Sequence, residues 1–523
     1  MTYNERFHIK KGTGLIRDIF DEHNMVRLQG KVGIGHTRYP TVGGFSIEEA
    51  QPVLTNVPYG IAMAHNGNLV NYAELAQEVE KKDRRHVNSS VDIEVILHIF
   101  AHALDHPNSN IEGLSFFDQI CHAVDMVYDR VDGAYSVIGT IMNKGMFVFR
   151  DPHGIRPLVK GIRKNDDGTT DYIFASETTM FYSLGFEPAG NVQPGEIIWI
   201  EEDGTLHSRV AQDKQFTPCV FEYVYFSRPD CIQNDVSVYR SRLRMGQNLA
   251  SRWRSLYPDI RPDIVIPAPS TANTAALSFA NELGVRYSEG LYKNPFIGRT
   301  FIMPGNEERR KSVRYKLVPQ EFEIRDKNVL IVDDSIVRGN TSREIVRMVR
   351  EFGAKKVFFI SACPPVQYPC YYGVDMPTRD ELTAANKSIE EIKEFMGVDI
   401  LMYQDISDLK EAVTRKGDHN IDRPCMACLD GWYVTGDIDK KTMENIEMLL
   451  KEAGSCMEHV CRIVVYLTDI RYREDVYKEM GKWLKGVHPC STGLVVPALA
   501  RPEWIVEIAV SYTHLTLPTN REV

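Results

Sequence analysis

The chain has 523 residues and a formal net charge of −10, with 43% hydrophobic and 25% charged residues. This length allows two to four domains with ample cores, and the acidic balance excludes nucleic acid as a main partner. No apolar run reaches the length of a membrane span. Because the first residues lack the apolar core of a signal peptide, we expect a cytoplasmic protein whose ten cysteines stay reduced.

The first part of the chain, residues 1–210, is rich in short strand patterns and turn signals. Its polar motifs are VGIGHTRYP (32–40), IAMAHNGNLV (61–70) and NSSVDIEVIL (88–97), and the last of these opens an amphipathic helical pattern. These patterns predict an α+β fold, with strands and helices packed in layers around a polar pocket.

Further along, apolar runs are followed directly by polar loops. Ile264–Pro267 has the pattern of a strand that leads to Thr271. Residues 329–332 are typical of a buried parallel strand, and Asp333 and Asp334 follow at once. The carboxyl ends of parallel strands meet at one edge of a sheet, which is where ligands bind in such folds.

A loop and a helical pattern follow the acidic pair. The loop contains Gly339, and the helix runs from Ser342 to Gly353, before a second apolar run at 357–360. Helix N-terminal N–H groups suit a phosphate, and adjacent carboxylates suit ribose hydroxyls or Mg²⁺. The pattern favours a ribose phosphate with a metal-bound pyrophosphate over a strand end with merely solvated acids. The loop lacks the glycine–lysine spacing of a P-loop.

The stretch VLIVDDSIVRGNTS (329–342) resembles the loop of type I phosphoribosyltransferases that binds 5-phosphoribosyl pyrophosphate (PRPP), in the form of the amidophosphoribosyltransferase family. The resemblance implies one Mg²⁺ per subunit, held by Thr271, Asp333 and Asp334, although that family usually has an acidic residue at the position of Ser270. It also implies PRPP contacts at Asp333, Asp334, Ser335, Arg338, Gly339, Asn340, Thr341, Ser342, Lys293 and Arg299. The last two lie in a segment similar to a mobile loop that closes over PRPP.

The motifs of residues 1–210 resemble the class II glutamine amidotransferase domain, an N-terminal-nucleophile hydrolase with an αββα sandwich. The resemblance implies that Arg38 binds the glutamine α-carboxylate and that Asp92 binds its α-amino group. Asn66 and Gly67 would form the oxyanion hole. Any one of these residues could be a surface turn or a structural arginine, but their order and spacing together favour the glutamine pocket.

The nucleophile expected from this resemblance is missing. In that family it is an N-terminal cysteine whose own α-amino group serves as the base. This chain starts Met1-Thr2-Tyr3, and its first cysteine, Cys121, lies in a helical pattern where we expect it to pack in a core. We therefore expect a chain whose front is missing, in which glutamine-dependent activity is lost and free ammonia is still used.

Four cysteines form a candidate metal site. Cys425-x-x-Cys428 has a chelating spacing that alone is compatible with zinc, a redox pair or no ligand. By resemblance to the iron–sulfur branch of the family, Cys219 and Cys370 complete a set that holds a 4Fe–4S cluster. Its expected role is structural, or that of an oxygen-sensitive stability switch.

The last part of the chain has a different pattern. Residues 437–510 include predicted strands at 462–468 and 504–510 and a predicted helix at 476–484. The segment resembles the later part of the RidA/YjgF enamine-imine deaminase family, but it lacks the arginine expected there, so we do not expect deaminase activity. Residues 511–523 fit no pattern, and we interpret them as a non-native tail.

These patterns predict a glutamine amidotransferase domain at 1–210, a type I phosphoribosyltransferase domain with a parallel sheet at 215–436 and a small partial α+β segment at 437–510. The predicted reaction converts glutamine, or ammonia, and PRPP to 5-phosphoribosylamine, pyrophosphate and glutamate, the first step of purine biosynthesis. Purine nucleotide inhibitors and other copies of the chain, in a dimer or tetramer, are the expected partners.

Two alternatives explain less of the chain. An amidotransferase with another acceptor, such as an aminosugar or asparagine synthase, leaves the 329–342 loop without a use. A non-catalytic regulator that binds PRPP or a nucleotide leaves the glutamine pocket without a use.

Overall fold

The computed structural model divides the chain into two compact units, Met1–Val434 and Thr435–Val523. It describes residues 2–3, 6–38, 46–106, 113–212, 214–294, 316–376, 379–414, 421, 423–436, 460–467, 476–477, 480, 483–484, 490–495 and 506–512. None of the helices in these ranges is long and apolar enough to cross a membrane.

The first half of the larger unit is built on a six-stranded antiparallel sheet. In sheet order its strands are Leu206–Val210, Glu196–Glu201, Gly145–Arg150, Gly133–Ile141, Ile61–Leu69 and Val53–Thr55. Successive side chains of a strand point to opposite faces. Phe147 and Phe149 therefore join the core under the helices, whereas Val148 joins the core on the other face.

Helices cover one face of this sheet, and a second sheet covers the other. The helices are Tyr72–Lys81, Ile93–Asp105 and Phe116–Arg130. The second sheet is antiparallel, with strands in the order Thr170–Ala175, Val159–Lys164 and Glu187–Asn191. Cys121 is buried in the helical layer, as expected. The two packed sheets agree with the predicted sandwich.

The second half of the larger unit is built on a parallel five-stranded sheet. In sheet order its strands are Arg286–Tyr287, Ile264–Pro267, Asn328–Asp333, Lys356–Ser361 and Ile400–Tyr403. Leu330 and Val332 pack in one core, and Val329 and Ile331 pack in the other. The central strand is apolar on both faces because helices cover both, which confirms the predicted α/β class.

Helices fall on both sides of the parallel sheet. Val238–Leu256, Asn273–Leu283 and Ile406–Thr414 contribute to the first core. Asn340–Glu351 and Ile389–Met396 contribute to the second. The shorter elements of this unit are Thr2–Tyr3, Arg6–Phe7, Ile16–Ile19, Glu22–Arg27, Tyr182–Leu184, Glu222–Phe226, Ile232–Gln233, Val236–Ser237, Leu291–Lys293, Leu317–Pro319, Glu321–Ile324, Arg379–Glu381, Thr383–Asn386 and Ala427–Asp430.

The smaller unit contains a three-stranded sheet in the order Cys490–Val495, Val460–Leu467 and Val506–Tyr512. The middle strand pairs in parallel with the first and antiparallel with the last. The predicted strands at 462–468 and 504–510 are present with shifted bounds, and the last strand continues two residues into the predicted tail. Of the predicted helix at 476–484, the described residues 476, 477, 480 and 483 are helical.

Gly139 tests the packing of the first core. Its cross-strand neighbour is Phe147, which is buried and stacked on Phe100 with ring centroids 4.6 Å apart. A Cβ at Gly139 would lie 1.9 Å from Cζ of Phe147. We expect Gly139→Ala to lower the free energy of unfolding by about 1–3 kcal/mol, because the stacked ring has no space to move.

Urea denaturation followed by circular dichroism measures this effect. The matched control is Gly35→Ala, since a Cβ at this exposed position meets no described atom within 4 Å. Its unfolding free energy should stay within about 0.5 kcal/mol of the wild-type value. Equal destabilisation by the two substitutions would contradict the packing argument.

Candidate active site and cysteine cluster

The acidic pair lies where the central parallel strand ends. Strand Asn328–Asp333 carries the first carboxylate, and the N–H of Asp334 donates to Oδ1 of Asp333 at 2.9 Å. Ser335 Oγ donates to Asp334 Oδ1 at 2.8 Å, and Ser342 Oγ lies 3.4 Å from Asp333 Oδ2. Both ends of the loop are therefore bound to the two carboxylates.

Gly339 sets the start of the following helix. It has φ +72° and directly precedes helix Asn340–Glu351. A residue with a Cβ is strained at this φ, and here the added carbon would also approach Oγ1 of Thr383 to 3.1 Å. The helix consequently begins just after the loop, with its first N–H groups near the acidic edge of the sheet, a geometry suited to a phosphate.

The pKa values of both carboxylates are raised in this structure. Burial raises the pKa of Asp333 well above its ordinary value, and the neighbouring Asp334 raises it further. Burial also raises the pKa of Asp334, to about 6, against the lowering effects of Ser335, Arg242 and Thr271. Thr271, at the end of the adjacent strand, thus lies within hydrogen-bonding range of Asp334. Two carboxylates and a hydroxyl are hard oxygen donors that fit Mg²⁺.

Arg338, Lys293 and Arg299 are also predicted to bind PRPP, and the structure describes the first two of them. Arg338 Nε donates to Oε2 of Glu381 at 2.6 Å, so its guanidinium is paired in this structure. Lys293 is exposed at the end of a short strand. Arg299 lies outside the described residues.

The predicted glutamine-binding residues converge around the end of strand Ile61–Leu69. Asp92 caps helix Ile93–Asp105 and accepts from the Leu69 N–H and from His65 Nε2, each at 3.0 Å. Asn66 and Gly67 lie between His65 and Leu69 in the strand. The carboxylate of Asp92 therefore binds the strand on both sides of the predicted oxyanion hole.

Arg38 reaches the same region through Glu49. Its Nη1 lies 2.9 Å from Oε2 of Glu49, and the other oxygen of that carboxylate accepts from Ser90 Oγ at 2.5 Å. Sequence reasoning missed Glu49 and His65 as partners, since neither stands in a motif that signals pairing. An acidic residue shortly after an arginine motif would have been the only hint.

Glu94 supports the segment that carries Asp92. Its carboxylate accepts from the N–H groups of Asn88 and Ser89, each at 2.8 Å. Burial raises the pKa of Glu94, but hydrogen bonds from His98, Ser89 and Asn88 outweigh burial and lower it to about 2.

The four predicted cluster cysteines lie close together. Cys219 and Cys425 form a β-bridge, and the carbonyl of Cys428 accepts from the N–H groups of Gln367 and Tyr368, three and two residues before Cys370. Burial raises the pKa of each thiol, and in three of them neighbouring cysteines raise it further. Three distant parts of the chain thus bring four thiols into one buried region.

Four thiols are the ligand set that a 4Fe–4S cluster takes, with one thiolate at each iron. The described residues contain no group of three or more His, Cys, Asp and Glu side chains arranged to hold a single metal ion. Nearby, the buried Nε and Nη1 of Arg156 have no hydrogen-bond partner among the described residues, which is consistent with an acceptor in this space.

The loop that carries Cys370 also contacts the predicted oxyanion hole. Asn68 Nδ2 donates to the carbonyl of Tyr371 at 3.0 Å. Gly373 has φ +91°, and a Cβ there would lie 2.8 Å from the carbonyl oxygen of Gly67. The cysteine region and the glutamine pocket are therefore in direct contact.

Two family models match the chain. One, described as a glutamine amidotransferase domain, matches residues 41–183, and the other, described as endoribonuclease L-PSP, matches residues 434–512. Amidophosphoribosyltransferase of Pseudomonas aeruginosa is 46% identical over 89% of this chain and 92% of its own length. That of Escherichia coli is 44% identical over 87% and 90%. The chain belongs to the amidophosphoribosyltransferase family.

A solved structure agrees with this assignment. The glutamine PRPP amidotransferase of B. subtilis, solved with ADP and GMP, has a TM-score of 0.70 at 35% identity and covers 81% of this chain and 88% of its own. The relatives and this solved structure confirm the predicted enzyme class and fold. Amidophosphoribosyltransferases act at the first step of purine biosynthesis. The match at 434–512 overlaps the segment that resembles the RidA/YjgF family.

The low pKa of Glu94 predicts a pH-dependent stability. Because its pKa in the folded protein lies below the ordinary value of 4.5, the carboxylate stabilises the fold above that pH, and the contribution is lost as the pH falls toward about 2. We expect Glu94→Gln to lower the unfolding free energy at pH 7 by about 2–3 kcal/mol. The difference in unfolding free energy between the variant and the wild type should become smaller below pH 4.5.

Urea denaturation at pH 7, 5 and 3 measures the gap. Glu202→Gln, at an exposed position, is the matched control and should show no gap at any of these pH values. A gap of constant size from pH 7 to pH 3 would disprove the electrostatic explanation.

Proposed function

We propose that the loop from Asp333 to Ser342 binds Mg·PRPP and that ammonia attacks C1 of the bound ribose. The observation that carries this proposal is the acidic pair, whose pKa values are raised at the end of a parallel strand directly before a helix N-terminus. The helix N–H groups would bind the 5-phosphate together with Ser335, Arg338, Gly339, Asn340, Thr341 and Ser342.

The two carboxylates and the hydroxyl of Thr271 would hold one Mg²⁺ per subunit. When bound, the ion would neutralise the pyrophosphate that leaves as the C1–N bond forms. Lys293 and Arg299 would contribute further positive charge to the same leaving group. The protein's own residues would chiefly position the ribose and stabilise the developing charge. Both effects lower the reaction barrier strongly when little covalent chemistry is required.

We also propose that the pocket around strand Ile61–Leu69 binds glutamine. Arg38 would bind its α-carboxylate, which would take the place of the Glu49 carboxylate now 2.9 Å away. Asp92 would bind the α-amino group, and Asn66 with the Gly67 N–H would stabilise the oxyanion. Where the N-terminal cysteine of the family is present, ammonia released in this pocket would pass internally to PRPP, across a domain boundary at about residue 210.

Cys219, Cys370, Cys425 and Cys428 would hold a 4Fe–4S cluster. Their number, the burial of Cys219, Cys425 and Cys428, and their origin in three chain segments support this assignment. Purine nucleotides would inhibit the enzyme, as suggested by the ADP and GMP bound in the B. subtilis structure, and the chain would form a dimer or tetramer.

The transferase assignment is tested by pyrophosphate release from Mg·PRPP with ammonium as the nitrogen donor. Ammonium makes the result depend on the parallel-sheet half alone. We expect Asp334→Asn to lower the rate at least 100-fold, because the pair loses a carboxylate ligand and much of its charge. Asp259→Asn, an exposed substitution in the same half, should retain the wild-type rate.

Wild-type rates from Asp334→Asn at saturating Mg²⁺ and PRPP would contradict the assignment. PRPP binding without pyrophosphate release by the wild-type chain would instead favour a non-catalytic regulator. Circular dichroism of each variant establishes that it is folded before the rates are compared.

The cluster assignment is tested by iron and sulfide analysis after purification without oxygen. We expect about four of each per chain, and a loss of most of both in Cys425→Ser, because one of the four thiolate ligands is removed. Cys121→Ser, at a buried cysteine outside the cluster, should keep the wild-type content. Iron-free wild-type protein would contradict this assignment and leave the transferase assignment intact.

A further inference from the structure

Arg156 is a buried cation that the functions above do not use. Its side chain lies in the loop after strand Gly145–Arg150, and the residue is 5% exposed. Nη2 lies 3.0 Å from Oε1 of Glu222, whereas Nε and Nη1 have no acceptor among the described residues. Burying guanidinium N–H groups without acceptors is costly, so a partner is expected on that side.

Arg156 lies close to the cysteines. The N–H of Cys219 donates to the carbonyl of Ile155 at 3.0 Å, which joins the arginine segment to the cluster segment. Glu222, the ion-pair partner of Arg156, lies one helical turn after Cys219 in sequence. Burial lowers the pKa of Arg156, but Glu222, Cys219, Cys370 and Cys425 outweigh it and raise the pKa. Three of the four cluster cysteines therefore lie within electrostatic range of one guanidinium.

The backbone of Arg156 is anchored to the six-stranded sheet. The carbonyl of Arg156 accepts from Arg150 Nε at 2.8 Å and from Ser136 Oγ at 3.1 Å, both on strands of the six-stranded sheet. The ring of Phe226 lies 5.7 Å from the guanidinium carbon. No described hydrogen bond joins this guanidinium to a cysteine sulfur, so Nε–H and Nη1–H have no acceptor among the described residues.

We propose that Arg156 donates Nε–H and Nη1–H to sulfur atoms of the bound iron–sulfur cluster and thereby raises its reduction potential. The inference rests on the cluster proposed above. A cluster held by four thiolates carries net negative charge, and reduction adds one more electron. A fixed positive charge and N–H donors beside the sulfurs stabilise the reduced form more than the oxidised form.

Glu222 provides a control of opposite sign. Its carboxylate is ion-paired with the guanidinium and partly cancels the positive charge that the cluster would experience. Removal of this carboxylate should raise the potential, whereas removal of the guanidinium should lower it. General loosening of the region would move both variants in the same direction.

The test is a redox titration of the cluster in anaerobically purified full-length protein, followed by electron paramagnetic resonance. We expect Arg156→Met to lower the reduced-to-oxidised ratio at a fixed potential about tenfold, which is about 59 mV for a one-electron couple. Arg156→Lys should fall between Arg156→Met and wild type. Glu222→Gln should shift the potential upward. Iron and sulfide contents establish equal loading.

An unchanged potential in fully loaded Arg156→Met would overturn the inference, as would shifts of the same sign in Arg156→Met and Glu222→Gln. If Arg156→Met does not bind the cluster, Arg156→Lys and Glu222→Gln decide the question. Equal reduction potentials in these two variants would then overturn the inference. Ammonium-dependent pyrophosphate release should be unchanged in all variants. Iron-free wild-type protein would refute both this inference and the cluster, whereas absent pyrophosphate release would refute the transferase assignment alone.

Discussion

The backbone of residues 362–376 connects three parts of the molecule, and their arrangement depends on it. At one end, the N–H of Ala362 donates to the carbonyl of Asp333 at 2.9 Å, beside the acidic pair. At the other end, Tyr371 and Gly373 pack against Asn68 and Gly67 of the glutamine pocket. Cys370 lies between the two contacts. Cys370 therefore lies in a segment that contacts both candidate sites.

The two candidate sites balance charge in opposite ways. In the glutamine pocket each charge has a partner in place, with Arg38 on Glu49 and Asp92 on His65. Substrate must exchange with these partners, which favours binding of a ligand that carries both charges. At the acidic pair, two carboxylates are adjacent and bind protons more tightly than usual. The divalent cation proposed for this site would relieve the repulsion between the carboxylates, so binding of metal and of a phosphorylated substrate would be physically linked there.

Buried arginines between the sheets show a further division of roles. Arg150 donates to the carbonyls of Gly154, Arg156 and Val192, and its neighbour Asp151 accepts from the N–H groups of His153 and Ile155. These hydrogen bonds anchor the loop of residues 151–156. Arg156 is held by that loop but keeps two donors unused. One arginine thus satisfies the backbone, and the other presents its charge to the cysteines.

The sequence by itself determined the local elements and the chemistry of the motifs. The apolar run before Asp333, Gly339 and the helix after it depend on neighbouring residues, and these elements lie where they were predicted. Membership of the family also followed from motifs read in order. Periodicity was equally sufficient to place Cys121 in a core, because a helical face is a property of a short stretch of chain.

Only the tertiary structure decided which charges meet. Arg38 pairs with Glu49, the N–H of Leu69 donates to Asp92, and Gly373 approaches Gly67. Each contact joins residues in different elements, and no local sequence pattern encodes such a contact. The same holds for Arg156, which in sequence is one arginine of a loop. Its two unused donors emerge only when burial removes water and the fold brings three cysteines beside it.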